Sequence, residues 1–151
     1  MCIRDRKEQL QSTNMNFYQD ADTLFIIGGY GFSETVNNHI THPYLTSVNV
    51  SGLISAIENN QSITTYFKQI EDSKFKVTGG HLKKINGMFY LVGGHLFDGK
   101  YNPMGNPTYI QEYTNQIRKF AIDNSGSQLS YHNYSAITDL SLIHISEPTR
   151  P

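Results

Sequence analysis

The chain repeats itself. Leu24-Phe25-Ile26-Ile27-Gly28-Gly29-Tyr30-Gly31-Phe32 is answered by Phe89-Tyr90-Leu91-Val92-Gly93-Gly94-His95-Leu96-Phe97 at a constant offset of 65 residues, and seven of the nine positions keep the residue or its class. The correspondence continues with small slips that loops absorb. Tyr44, Val48 and Leu53 match Tyr113, Ile117 and Ile122 at an offset of 69, and Phe67, Ile70 and Asp72 match Tyr134, Ile137 and Asp139 at 67. A unit of this size recurring whole points to a solenoid or a propeller, in which each copy buries its apolar surface against the next.

Each unit reads as four strands. In the second they are expected over 76–85, 88–92, 113–123 and 129–138; in the first, over 15–19, 23–27, 45–53 and 63–70. Asn86-Gly87 is the dipeptide favoured in a two-residue type I′ hairpin, where both central residues need positive φ. Residues 51–59 have a competing reading as a short helix through Leu53, Ile54, Ala56 and Ile57. The second strands are apolar without alternation, which an antiparallel strand shows when both faces are covered, as between stacked sheets. The Gly-Gly pair after each suits a close backbone neighbour, or a φ that a side chain forbids. Twelve glycines, ten tyrosines and eight phenylalanines in 151 residues agree with strands and turns. The expected class is all-β.

The ends differ from the middle. Residues 1–6 and 141–151 resemble translated sequencing-adapter read-through and are set aside, with 7–13 as a flank of uncertain assignment. The remainder holds nine basic and eleven acidic residues, a net charge of −2. This mildly acidic balance argues against a nucleic-acid partner. The one cysteine, Cys2, falls in the discarded segment, which leaves no disulfide, thiol nucleophile or thiolate ligand. No apolar run is long enough to span a membrane, and no signal-peptide pattern opens the chain.

The units resemble kelch repeats, in which an apolar strand ends in a double glycine and a spaced aromatic and a strand with an acidic end follow. Ile26-Ile27-Gly28-Gly29 and Leu91-Val92-Gly93-Gly94 carry that signature, and Val77-Thr78-Gly79-Gly80 stands where the family's innermost strand is due. Phe67 and Tyr134 take the place of the family's fourth-strand tryptophan. The resemblance implies a partial kelch-type β-propeller of about two four-stranded antiparallel blades, 14–72 and 73–140. It is closest in pattern to propellers of secreted or surface-attached bacterial proteins. The excess over the usual kelch period is expected in the loops 31–42 and 98–108. A propeller needs about four to eight blades, and another inner strand is due after Asp139. The chain is therefore expected to be a piece of a longer protein whose remaining blades are its partners.

Alternating strand direction brings the loops after the second and fourth strands to one rim. Tyr30, His39, His42, Tyr44 and Glu71 are expected there from the first unit, with His95, Asp98, Tyr101, Asn102 and Tyr109 from the second. Aromatic and amide side chains suit stacking on and hydrogen bonding to a glycan, or gripping a protein segment. The competing reading is that these loops are solvated and that Tyr30 and His95 merely cap the glycine corner. His39, His42, His81 and His95 lack the converging three or four donors a metal needs, so neither a metal nor another cofactor is expected. Three acceptor patterns for N-glycosylation begin at Asn49, Asn60 and Asn133.

No hydrolase elbow, zinc-protease or phosphate-loop motif is present, and Gly28-Gly29-Tyr30-Gly31 has no helix opening behind it as a dinucleotide site requires. The expected function is a non-catalytic binding surface for protein or glycan. The alternative is part of a sugar-acting enzyme on a kelch propeller, like a sialic-acid mutarotase or a carbohydrate oxidase. For the former, Glu112, Arg118 and His81 are the imaginable participants.

Overall fold

The computed structural model describes residues 3–102, 104, 105 and 108–141. Most of residues 141–151, and residues 1 and 2, thus lie outside the described residues. In chain order the elements are α1 (Ile3–Leu10), β1 (Asn16–Asp20), β2 (Thr23–Ile27), β3 (Tyr30–Ser33), β4 (Asn38–Thr41), β5 (Tyr44–Asn49), α2 (Val50–Glu58), β6 (Phe67–Glu71), β7 (His81–Ile85), β8 (Met88–Val92), β9 (His95–Gly99), β10 (Tyr109–Tyr113), β11 (Gln116–Asp123) and β12 (Ser130–Thr138). The fold is mostly β. Two four-stranded antiparallel sheets have the same order, β1-β2-β5-β6 and β7-β8-β11-β12, and each carries a two-stranded hairpin, β3-β4 or β9-β10, between its second and third strands.

The repeat is visible in the backbone. Thr13 bridges Tyr30 as Thr78 bridges His95, each pair 65 residues from its counterpart. Positive φ recurs at the same spacing: Asn14 with Gly79 (54° and 68°), Ala21 with Asn86 (50° and 48°) and Gly28 with Gly93 (66° and 64°). The unit thus begins ahead of β1, within the flank 7–13. The β7-β8 turn has positive φ at both Asn86 and Gly87, as the type I′ reading requires.

Several expected boundaries differ. The strand expected over 45–53 stops at Asn49, and the competing helical reading is the one realised as α2. Asn49 caps that helix, its Oδ1 accepting from the Gly52 amide at 2.7 Å, and a side chain that satisfies an otherwise orphaned amide ends the strand and starts the helix. Residues 73–80 are mostly a 3₁₀ turn (Ser73–Phe75) and a lone bridge rather than strand. The 3₁₀ turn Thr64–Tyr66 likewise shortens the fourth strand of the first unit. The expected loops 31–42 and 98–108 contain the hairpins, and Tyr113 ends β10 instead of opening the third strand.

The two sheets pack face to face. Phe25, Ile27 and Leu45 of the first meet Leu82, Phe89, Leu91 and Phe120 of the second, with Phe75 and Val77 of the connecting segment between them. Phe25 and Phe89 meet edge to face at a centroid distance of 5.1 Å, and Phe89 and Phe120 stack at 6.1 Å. The contact is head to tail. Phe25 and Ile27 face the second sheet, but their counterparts Tyr90 and Val92 alternate with Phe89 and Leu91 and so face away from the first. The outward face is correspondingly less buried: β8 alternates buried and half-buried residues, whereas Phe25, Ile26 and Ile27 are all buried. On the other side of β2, Gln9 fills space over Ile26, donating to the Gly28 and Tyr44 carbonyls at 3.1 and 3.0 Å and accepting from Thr46 and Gln69.

The seam is closed by backbone. Gly29 donates to the Val77 carbonyl at 3.2 Å, and Asn14 accepts at 2.9 Å from both the Gly79 amide and the Thr78 hydroxyl. A Cβ on Gly28 would stand 1.7 Å from the Val77 oxygen, so the glycine corner is both a positive-φ turn and a close backbone approach. Gly80 is squeezed too, its Cβ position lying 3.0 Å from the Val92 oxygen and 3.1 Å from that of Gly93. Polar contacts extend the seam: Asp20 with Lys84, Ser47 and Lys68 with Asn124, and the Tyr131 hydroxyl with Asp72.

Two glycine substitutions separate conformation from contact. Gly87 has φ of 79° with nothing near its Cβ position, so Gly87→Ala should cost only the left-handed penalty of about 1–2 kcal/mol in urea denaturation. Gly28→Ala adds a backbone collision and should lose more stability than Gly87→Ala; equal losses would show that the seam is not closed as described.

Candidate functional site

β2 and β8 end in their double glycines at the same end of the molecule, and each hairpin rises from that corner. The two hairpins lie side by side through β4 and β9. Thr41 joins them: its hydroxyl donates to the Phe97 carbonyl at 2.7 Å and accepts from the Phe97 amide at 2.8 Å. Asp98 adds a second tie, accepting from the Thr41 amide at 3.0 Å and from Lys76 at 2.7 Å. Asp98 is therefore spent on bracing.

A row of rings runs across both hairpins. His39 lies between Phe32 and Tyr30, at centroid distances of 5.3 and 5.9 Å. Tyr30 meets Phe97 edge to face at 4.8 Å, Phe97 stacks on Tyr109 at 4.7 Å, and Tyr101 contacts both Phe97 and Tyr109 at 6.0 and 5.5 Å. Phe97 is the buried hub, whereas Tyr101 and Phe32 are 56% and 47% exposed. The Tyr30 hydroxyl donates to the Gly99 carbonyl at 2.7 Å and accepts from the Tyr101 amide at 3.3 Å. Burial raises the Tyr30 hydroxyl above its ordinary pKa, outweighing the Tyr101 amide, so it stays a neutral donor. Aromatic faces held this way present flat apolar area with little freedom left to lose on binding.

Not every expected rim residue joins the row. Tyr30, His39, Tyr101 and Tyr109 do, and His95 joins through Phe97 and Tyr113 at 6.2 and 5.5 Å. Asn102 braces its own loop, accepting from the Met104 amide at 3.3 Å. His42 leaves the surface altogether: it is fully buried, stacked on Tyr44, and neither ring nitrogen has a hydrogen-bond partner among the described residues. Burial lowers its pKa, against the nearby Glu8 carboxylate. Glu8 itself is raised by burial but brought below its ordinary value by hydrogen bonds from Ser33 and Thr35. His81 is exposed on β7, and no cluster of three His, Cys, Asp or Glu residues suited to a metal occurs among the described residues.

Beside the row, an open groove of about 310 Å³ runs between the 3₁₀ turn Ser73–Phe75 and the β10-β11 junction. Ser73, His95, Glu112, Tyr113, Asn115 and Arg118 line it. Glu112 and Arg118 thus share a groove that His81 does not reach. The sequence offered no direct sign of Thr41, Lys76 or Phe97 as organisers, although Phe97 aligns with Phe32 in the repeat. Among the described residues no helix is long and apolar enough to cross a membrane.

Two measurements check this geometry. Tyr30→Phe removes a donor to a buried carbonyl and should cost about 1 kcal/mol in chemical denaturation. Buried neutral histidine takes up fewer protons than the unfolded side chain near pH 6, so stability should fall as pH drops below about 6.5. His95, also lowered by burial, acts in the same direction. His42→Phe should flatten the pH slope in part and His42→Phe/His95→Phe should flatten it further; an unchanged slope in the double variant would contradict the burial of both rings. Compared with known proteins, the chain matches no family model, and no curated protein matches it.

Proposed function

We propose that the chain is part of a kelch-type β-propeller and that its hairpin rim is a non-catalytic binding surface for a glycan or protein. The observation that carries the binding reading is the ring row from Phe32 to Tyr101, assembled from two hairpins and locked beneath by Thr41 and Asp98. Rigid, partly exposed aromatics flanked by polar groups suit the apolar faces and hydroxyl edges of a sugar ring.

The head-to-tail packing supports the propeller. A heterologous contact propagates, because the second sheet presents outward the face equivalent to the one that received it. Tyr90, Val92, Ile117 and Lys119 lie on that face. A third module of the same kind is its fitting occupant, and repetition around a ring covers the outer faces that an open stack leaves bare. The secreted or cell-surface bacterial setting rests on the sequence resemblance. An enzymatic reading has one favouring observation, the shared groove of Glu112 and Arg118.

Binding of the chain to arrayed neutral and acidic oligosaccharides and to a peptide library tests the reading. Saturable binding is expected, and Tyr101→Ala with Tyr109→Ala should weaken it by about tenfold or more, the loss of one to two stacking contacts. Binding untouched by the double variant, or turnover of a bound sugar, would contradict a non-catalytic aromatic rim.

A further inference from the structure

The three asparagine acceptor patterns are not equivalent once the chain is folded. Asn49 ends β5, its Oδ1 is spent on the Gly52 amide at 2.7 Å, and the hydroxyl of Ser51, the third residue of its pattern, donates to Asp22 at 2.6 Å. Asn133 lies within β12, and the residues that complete its pattern are held there: the Tyr134 ring stacks on Phe120 at 6.4 Å and Ser135 pairs with Lys119. Asn60 is different. It follows α2 in a run, residues 57–65, that is exposed throughout and belongs to no strand, and its carboxamide has no hydrogen-bond partner among the described residues. The pattern's hydroxyl, Ser62 Oγ, reaches the neighbouring Thr64 hydroxyl at 3.2 Å. Glu58 stands two residues ahead of Asn60, where Asn49 and Asn133 have Ser47 and Tyr131.

From this placement we infer that Asn60 is an acceptor for an N-linked oligosaccharide, and the one of the three that the folded chain offers. A transferase has to draw the acceptor carboxamide and the hydroxyl two residues on into its own site. That costs little in an exposed connection outside any ladder, and it breaks hydrogen bonds already made at Asn49 and in β12. Glu58 is the acidic residue that acceptors of bacterial oligosaccharyltransferases carry at that place, which suits the exported bacterial setting proposed above, on which the inference rests. In the step, Asn60 Nδ2 bonds to the anomeric carbon of a lipid-diphosphate-linked oligosaccharide. The bond from that carbon to the diphosphate oxygen breaks, its electron pair leaves with the diphosphate, and one Nδ2 proton passes to a base on the transferase. Nothing is oxidised or reduced. The surroundings agree with the assignment: Ile57 and Ile63 are exposed on either side of Asn60, and a bulky polar glycan shields such apolar surface from association. The segment leaves the first sheet after Asn49 and rejoins it at Phe67, which pair with Thr23 and Val48 at the end away from the glycine corner, so a glycan there leaves the ring row clear.

Incubation of the purified full chain with a bacterial oligosaccharyltransferase and a lipid-diphosphate-linked oligosaccharide, with the site read by peptide mass spectrometry, tests the inference. The oligosaccharide mass is expected on Asn60 and not on Asn49 or Asn133. Asn60→Gln and Ser62→Ala should each abolish it, and Glu58→Gln should slow it by about tenfold, the loss of one charge-assisted contact. All three positions are exposed, so the variants should keep the wild-type circular dichroism; the wild-type site map decides alone where one does not. A chain that stays unmodified overturns the inference, whether or not a synthetic peptide of residues 56–64 is modified beside it. Oligosaccharide on Asn49 or Asn133 to the same extent as on Asn60 also overturns it, because the fold then selects nothing. No residue of the ring row enters this assay, so its failure leaves the binding reading of the rim standing, and loss of oligosaccharide binding at the rim leaves the acceptor standing.

Discussion

The Val77 carbonyl lies against Gly28 where no side chain fits, and its hydrogen bond from Gly29 fixes the second sheet on the first. Both sides of the seam depend on that approach. Phe75 and Val77 are carried into the space between the sheets, where they complete the contact of Phe25 and Ile27 with Phe89 and Phe120. Removing that area from water is the main drive for stacking, at roughly 25 cal/mol per Å² of apolar surface. The backbone bonds add little net energy but set position, since a buried amide without a partner would be penalised.

The same corner launches the hairpins. Each unit turns through its double glycine into a hairpin at the same end of its sheet, so stacking the sheets places the hairpins side by side. The ring row is a consequence of the seam and not a separate device. Thr41 and Asp98 convert two hairpins, each marginal on its own, into one platform. The groove at Arg118 has the same origin, because its walls come from the inter-sheet connection on one side and the base of the second hairpin on the other.

Much of this was legible in the sequence. The offset of 65 located both copies of the corner, the unalternating Phe25-Ile26-Ile27 announced a strand covered on two faces, and Asn86-Gly87 named its turn. Where the reading failed, long-range partners decided. Residues 50–58 contain Val, Ile and Leu that suit either strand or helix, and the Asn49 cap tipped the balance. The inserted hairpins read as loops in the sequence because they hold the excess over the kelch period; their ladders are short and are sustained by tertiary ties such as Thr41 to Phe97. Strand alternation puts the loop after the second strand, and His42 with it, on the rim, but burial beside Glu8 and Tyr44 is a property of the packed α1 and invisible to local pattern. The burial of Arg118 on β11 beside Tyr134, with Nη1 lacking a partner among the described residues, likewise has no local signal in the sequence.

Native-state amide hydrogen exchange tests the central claim, that the glycine corner welds two modules into one cooperative unit. The Gly29 and Gly79 amides, which cross the seam to Val77 and Asn14, should exchange with the same opening free energy as the amides of Phe89 and Phe120 in the core. Exchange at the two glycines that is orders of magnitude faster than in the core strands would show that the sheets open independently, and would contradict the account.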